Sequence, residues 1–369
     1  MSKRGFIPAH IKEGNRRIIY DLFDDGGYYS KAEICRLTGI SAPTVIKIVD
    51  SFVEKNILVG VGEGESNVGR KPNLLVRNEK SYYAIGVDFQ EEKVRVGLVD
   101  LGGKLIGRKM GDLDFPIEKL LARTVYTLVK QMIKEYQIDH SRILGICLGL
   151  PGTVDTECNT VEYAYSIGLK DKTNCTSILA CLEEALKMPV CLENDINAAA
   201  VGEFRARKLD KTKDLIYISL GVGLGAGLVL SGKLRRGINN FAGEIAYTSF
   251  NEDYETRKAP KGWMEEKISG DAVKAAIRKE KDTENYISDI SKKIALMISN
   301  CSVFLDFDLV VIGGLLTKHF GDELLVEIES NLRRTSMFHI QCDKALSEYP
   351  ELIGCASIVC EKRLKDILA

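Results

Sequence analysis

The sequence lacks an apolar run long enough to cross a membrane. Its most lipid-like stretch, residues 215–230, is uncharged but short and rich in glycine, whereas a spanning helix needs about 20 apolar residues. The first residues, MSKRGFIPAHIKEG, hold no apolar core of signal-peptide length. No two of the ten cysteines form a CxxC pair, and most sit inside apolar runs. That distribution suits reduced, buried thiols and excludes a disulfide framework. A cytoplasmic protein with no membrane partner is expected.

Glycine is missing from one place where it matters. Residues 85–99, IGVDFQEEKVRVGLV, read as strand, turn and strand, with Phe89-Gln90-Glu91-Glu92 at the turn. Residues 216–229, IYISLGVGLGAGLV, have the same layout but carry Gly221, Gly223, Gly225 and Gly227. Backbone amides wrap a phosphate only where side chains stay clear, and a pair of carboxylates repels an anion. Half of a nucleotide site is present and half is defaced.

What is present divides into a basic head and an acidic body. The net charge of −1 splits into about +3 over residues 1–80 and about −4 over the rest. In the head, residues 15–23 have helical spacing of Ile18, Ile19, Leu22 and Phe23, and stop at Asp24-Asp25-Gly26-Gly27. Ser30, with Glu33 three residues on, predicts a capped helix over 31–37, and Gly39 ends it. Ser41 is placed to cap a second helix, with Pro43 in its first turn and Val45, Ile48, Val49, Phe52 and Val53 facing inward. Residues 57–61 and 73–77 read as short strands around a loop ending Val68-Gly69-Arg70-Lys71-Pro72. Helix, tight turn, helix and basic hairpin, in that order, predict a winged helix-turn-helix that docks its second helix in a DNA major groove. The contact candidates are Ser41, Pro43, Thr44 and Lys47 on that helix, and Arg70 and Lys71 on the wing.

From residue 82 strands and helices alternate, which predicts an α/β body with ligands at the carboxyl ends of its strands. Strands are expected over 84–87, 94–99, 143–150, 190–192 and 309–312, with helices over 114–136 and 178–186 and after Asp195. The ordered segments GLPGTVD (149–155), ENDINAAAVGE (193–203), LGVGLGAGLVLSGKLRRG (220–237), AGEIAY (242–247), VIGG (311–314) and ELIGCAS (351–357), with the GRKP wing, span nearly the whole chain. By these motifs the chain resembles the ROK family (repressor, open reading frame, kinase), and within it the sugar-responsive repressors of the xylose and N-acetylglucosamine type.

The resemblance implies a two-lobed actin-like and hexokinase-like body: lobe 1 over 81–197, completed by a C-terminal helix at 351–369, and lobe 2 over 198–350. It implies sugar contacts at Asn194, Asp195, Glu244 and Glu265, with Tyr247 where the family has histidine. A carboxylate and an amide suit vicinal hydroxyls, and Asp195 would be the base in a kinase. The family's structural zinc is not expected, because the matching stretch 256–264, TRKAPKGWM, has no cysteine. ATP with Mg2+ is not expected either: Asp88 keeps the first position of the family's phosphate loop, but the next four residues depart from it. Gly221, Gly223 and Gly225 would serve as cofactor contacts only if ATP binds. The expected function is a sugar-responsive repressor of operator DNA, assembled as a homodimer or homotetramer, with no catalytic residue; the alternative is an ATP-dependent sugar kinase.

Overall fold

A computed structural model of the protein describes residues 8–63, 73–90, 93–112, 117–169, 171–221, 223–250, 253, 262–268, 283–307 and 309–369. Arg70 and Lys71, the Glu91-Glu92 pair, and most of the stretch expected to have lost zinc ligands lie outside the described residues.

The N-terminal region has three helices and a two-stranded antiparallel sheet. The helices are α1 (Pro8–Asp21), α2 (Lys31–Thr38) and α3 (Ala42–Glu54); β1 (Leu58–Glu63) pairs with β2 (Asn73–Arg77). Helix α1 starts earlier than the spacing suggests and hands over to a 3-10 turn at Leu22–Asp25. At α2, Ser30 and Glu33 form the reciprocal capping box, and Gly39 closes the other end in the left-handed region, φ 69°. Ser41 behaves differently. It stands at the N-cap of α3, but its hydroxyl lies 2.9 Å from that of Thr44 and makes no cap bond to the backbone. The inward stripe is shorter than expected, because Val45, Ile48, Val49 and Phe52 are buried while Val53, and Ile18 on α1, are exposed.

The body has two five-stranded sheets of one topology. The first contains β3 (Tyr83–Gln90), β4 (Lys93–Asp100), β5 (Leu105–Asp112), β6 (Ile143–Leu150) and β10 (Val190–Asn194), in the order β10-β6-β3-β4-β5. The second contains β11 (Leu215–Leu220), β12 (Leu224–Leu230), β13 (Lys233–Arg235), β14 (Leu309–Gly313) and β15 (Gln341–Lys344), in the order β13-β12-β11-β14-β15. In each, three strands form an antiparallel meander and two more join in parallel on the far side of its first strand. A small sheet of β7 (Thr153–Asp155), β8 (Thr160–Glu162) and β9 (Thr173–Asn174) follows β6.

Helices cover both faces, so the central strands are apolar on both sides. Helices α4 (Ile117–Tyr136) and α5 (Thr176–Leu186) bury Val125, Val129, Met132, Leu182 and Leu186 against the first sheet. In the second lobe α7 (Trp263–Ile268), α8 (Thr283–Leu305) and α9 (Leu315–Thr335) supply Met264, Ile290, Ile294 and Leu324 to its sheet.

The inner faces are exchanged between lobes. Helix α6 (Asp195–Ala206) follows β10 of the first sheet yet lies on β11 and β12 of the second. Helix α10 (Pro350–Leu368) follows β15 of the second sheet yet lies on β3, β4 and β6 of the first. The two helices cross each other at bare backbone. A Cβ on Gly354 would fall 1.6 Å from the Ala198 carbonyl oxygen, and one on Gly202 would fall 2.0 Å from that of Pro350. No side chain fits either gap. Gly354→Val should therefore destabilise by about 3 kcal/mol or more, read as lost soluble yield and a lowered Tm. Gly221→Ala, whose Cβ meets nothing closer than 3.5 Å, should leave Tm within a degree or two of wild type.

Candidate functional site

The site lies where β10 ends and α6 begins. Asn194 is the N-cap of α6, and its Oδ1 accepts from Asn197 N–H at 2.8 Å. Its Nδ2 donates to Gly152 O at 2.8 Å and approaches Asp195 Oδ1 at 3.2 Å. The predicted sugar contact thus also carries structure: most of its amide is engaged in holding the loop after β6 to the start of α6. Beneath it Glu193, wholly buried, is held by the Arg236 guanidinium, with Nε 3.0 Å from Oε2, and accepts from Asn194 N–H at 3.1 Å. A buried carboxylate with a cation and amide donors is stable in place.

Asp195 is the chemically poised group. Its Oδ1 accepts from Ile196 N–H at 2.8 Å. Burial, then the neighbouring Asp88 charge, push its pKa up to about 7. Glu244 sits nearby at the N-cap of the short 3-10 turn Ile245–Tyr247. Its pKa is raised by burial and by Glu265, and opposed by a hydrogen bond from the Thr153 hydroxyl. Gly243 before it is obligatory, since φ is 94° and a Cβ would meet Ala226 O at 1.9 Å. Glu265, on α7, accepts from Leu224 N–H at 3.1 Å. Tyr247, one 3-10 turn from Glu244, is 42 % exposed.

Asn194, Asp195, Glu244 and Glu265 are therefore brought to one region, linked through Gly152 and Thr153. The structure adds Thr153 and Gly152, which sequence reasoning named only as part of GLPGTVD. A neutral hydroxyl, an amide and three carboxylates, two with raised pKa, form a surface suited to a polyhydroxyl ligand.

The residues of the nucleotide half fit their group poorly. Asp88 is buried at the end of β3, and its Oδ2 accepts from Arg95 Nε at 2.8 Å and from Nη2. At the second loop, Gly227 is required by packing, because a Cβ would lie 2.6 Å from both Ala200 Cβ and Ile196 O, while one on Gly225 would meet only the tip of the Ile196 side chain, at 2.5 Å. Gly221 and Gly223 have room for one. Among the described residues no cluster of three or more His, Cys, Asp or Glu is arranged to hold a metal ion.

In the head, Ser41, Pro43 and Lys47 are exposed on the outer face of α3 and Thr44 is half-buried, so the described candidates share one surface. Asp50 on that face is paired with Lys31 at the start of α2.

Fold and site together define a two-lobed α/β protein of the actin-like and hexokinase-like class, with a cluster of polar side chains at the start of α6 and an N-terminal helical module. The ROK family model matches residues 84–340, and the chain belongs to that family. It is 25% identical over 388 residues to the xylose repressor of Caldicellulosiruptor bescii, covering 95% of this chain and 96% of that one. It is 25% identical over 237 residues to the DNA-binding transcriptional dual regulator NagC of Escherichia coli strain K12, covering 64% and 57%. Among solved structures, a ROK family transcriptional regulator described as a homologue of the E. coli MLC protein superposes over 97% of this chain and 98% of its own. The TM-score is 0.78 at 18% identity. A ROK hexokinase from Thermus thermophilus superposes over 77% and 99%, with TM-score 0.64 at 22% identity. The hexokinase is covered almost completely by part of this chain.

Asp195 makes stability depend on pH with a definite sign. Its folded pKa, about 7, lies above the ordinary 3.8, so the folded state holds the extra proton between those values. The destabilisation begins above the ordinary value and is complete above about 7. Asp195→Asn should accordingly raise Tm by a few degrees at pH 8, by roughly a third as much at pH 5 and by little or nothing at pH 4. Thermal melts across that range check it, and an equal shift at both ends would contradict the assignment.

Proposed function

We propose that this protein is a sugar-responsive transcriptional repressor. Its head is a winged helix-turn-helix that reads operator DNA with the N-terminal half of α3, Ser41, Pro43, Thr44 and Lys47, assisted by Arg70 and Lys71. Its effector is a sugar or sugar derivative held by Asn194, Asp195, Glu244, Glu265 and Tyr247. Two copies present two heads to two half-sites. Structural zinc and Mg-ATP are not part of this function, and the protein acts in the cytoplasm.

One observation carries the reading: a single helix, α10, joins the cleft to the head. Its first turn bears Glu351, which lies 3.6 Å from Arg95 and feels the charges of Asp88 and Asp195. Its last turns place Leu364, Ile367 and Leu368 in the same apolar cluster as Ile19, Phe23, Val49 and Phe52 of the head. Over 19 residues it reaches about 28 Å. Polar contacts reinforce the far end: Arg17 pairs with Glu361 at 2.6 Å, Lys55 donates to Ile367 O at 3.2 Å, and Arg16 donates to Leu368 O. On the lobe 2 side, Lys211 pairs with Asp21 and Asp24, each at 2.8 Å. A ligand that binds one lobe angle better than another shifts α10 relative to α6, and with it the head.

A second reading, an ATP-dependent sugar kinase, is supported by Asp195, whose pKa near 7 suits a general base at neutral pH. Clear ATP-dependent turnover of a sugar, abolished by Asp195→Asn, would establish it over the regulator.

Thermal-shift screening of D-xylose, N-acetylglucosamine, glucose and their phosphates should find a stabilising ligand. Gel-shift titration of DNA upstream of the protein's own gene, with and without that ligand, should show a changed operator affinity. Lys47→Ala should weaken operator binding by about tenfold with Tm unchanged, and Asp195→Ala should bind operator normally but ignore the sugar. An Asp195→Ala protein that still responds would place the effector elsewhere.

A further inference from the structure

The Asp88–Arg95 pair is not explained by sugar sensing or by DNA binding. Arg95 interrupts the apolar run of residues 94–99 in β4, and it points into the buried inner face where α10 packs. Its guanidinium is only 11% exposed and the Asp88 side chain 1%. Each group facing the pair comes from a different element. Glu351, on the first turn of α10, lies 3.6 Å from Arg95. Tyr349, just before α10, stacks on Arg95 with the guanidinium 5.4 Å from the ring centroid, and on Arg108 of β5 at 4.6 Å. Asp195, at the start of α6, and Tyr217, on β11, feel the Asp88 charge. Burial, together with Asp88, lifts the Glu351 pKa to about 8.

Two carboxylates, Asp88 of β3 and Glu351 of α10, thus face one guanidinium from β4, and a third, Asp195 of α6, feels the Asp88 charge. A carboxylate at this depth would need a counter-charge, and a divalent cation with nucleotide phosphates is one way to supply it. Here the chain supplies its own, in a fork that lysine cannot reproduce. With Asp88 neutralised and covered, a metal–phosphate group has neither its carboxylate nor an open approach.

We propose that Arg95 is a resident counter-ion. It closes the cation–phosphate end of the cleft to nucleotide and, through Asp88, Glu351 and Tyr349, clasps the first turn of α10 to the β3–β4 hairpin. Arg95 is a positioning residue: it fixes where α10 starts, independently of which sugar the cleft takes.

The test is a set of thermal melts from pH 5 to 8 on wild type, Arg95→Met and the double variant Asp88→Asn/Arg95→Met, with calorimetric titration of the Mg2+ complex of AMPPNP into wild type. In Arg95→Met, Asp88 is left buried without a partner. Its pKa then rises, and the folded state loses stability as pH rises past the ordinary carboxylate range. Arg95→Met should melt about 5 °C or more below wild type at pH 8, recover much of the gap at pH 5, and lose this extra pH dependence in the double variant. Wild type should show no saturable nucleotide binding. Arg95→Lys, which keeps the charge but not the fork, should melt lower than wild type with a wild-type pH profile. An Arg95→Met profile that merely parallels wild type at lowered Tm, an Arg95→Lys profile with the steepened pH dependence expected of Arg95→Met, or saturable binding of the Mg2+–AMPPNP complex to wild type, would overturn the proposal.

Discussion

The interaction on which the arrangement of the two lobes depends is the crossing of α6 and α10. The glycines that permit it come from four segments. Gly202 and Gly354 let the helices meet, Gly86 lets β3 lie against α10, where a Cβ would fall 2.0 Å from Leu352 O, and Gly227 does the same for β12 against α6. Packed interiors are close to crystal density and have few intermediate arrangements. A joint made of backbone against backbone can pivot only as a unit, so a change of lobe angle must move α10 bodily.

That constraint gives the site its meaning. Asp195 opens α6, and Glu351 opens α10, so each inner helix begins with a carboxylate facing the same buried region. At the other end, α10 is part of the head's own apolar core rather than a tether to it. The head therefore has no complete core without the body's last helix, which sets its orientation as well as its stability. In the proposed function, a ligand beside one end of α10 and DNA at the head are linked through packed side chains and not through a flexible linker.

Much of this was legible in the sequence, for identifiable reasons. Strands such as Ile143–Leu150, and residues 190–192 of the longer Val190–Asn194, were readable because short apolar runs bounded by turn residues have few other solutions. The capping box at Ser30 and Glu33 followed from spacing alone. The site residues came from ordered motifs, which named Asn194, Asp195, Glu244 and Glu265 but not Thr153, whose hydroxyl meets Glu244 across more than 90 positions. Ser41 was misread because a serine before a helix usually caps it, and here a neighbouring hydroxyl competes. The exchange of α6 and α10 between lobes was illegible, since no local pattern encodes which sheet a helix covers. Arg95 left one faint signal, a charge at an inward position of a strand buried on both faces; its partner at Asp88 could be assigned only from the hairpin register, in which the two face each other.

The most direct test of the account is hydrogen exchange along α10 and α1 of the full chain, measured with and without the stabilising sugar. Ligand bound at Asp195 and Glu244 should alter protection not only at 349–355 beside the cleft but also at 364–368 and in the head segments that share its core. Protection that changes at the cleft and stays constant at 364–368 and throughout the head would contradict a signal carried by α10.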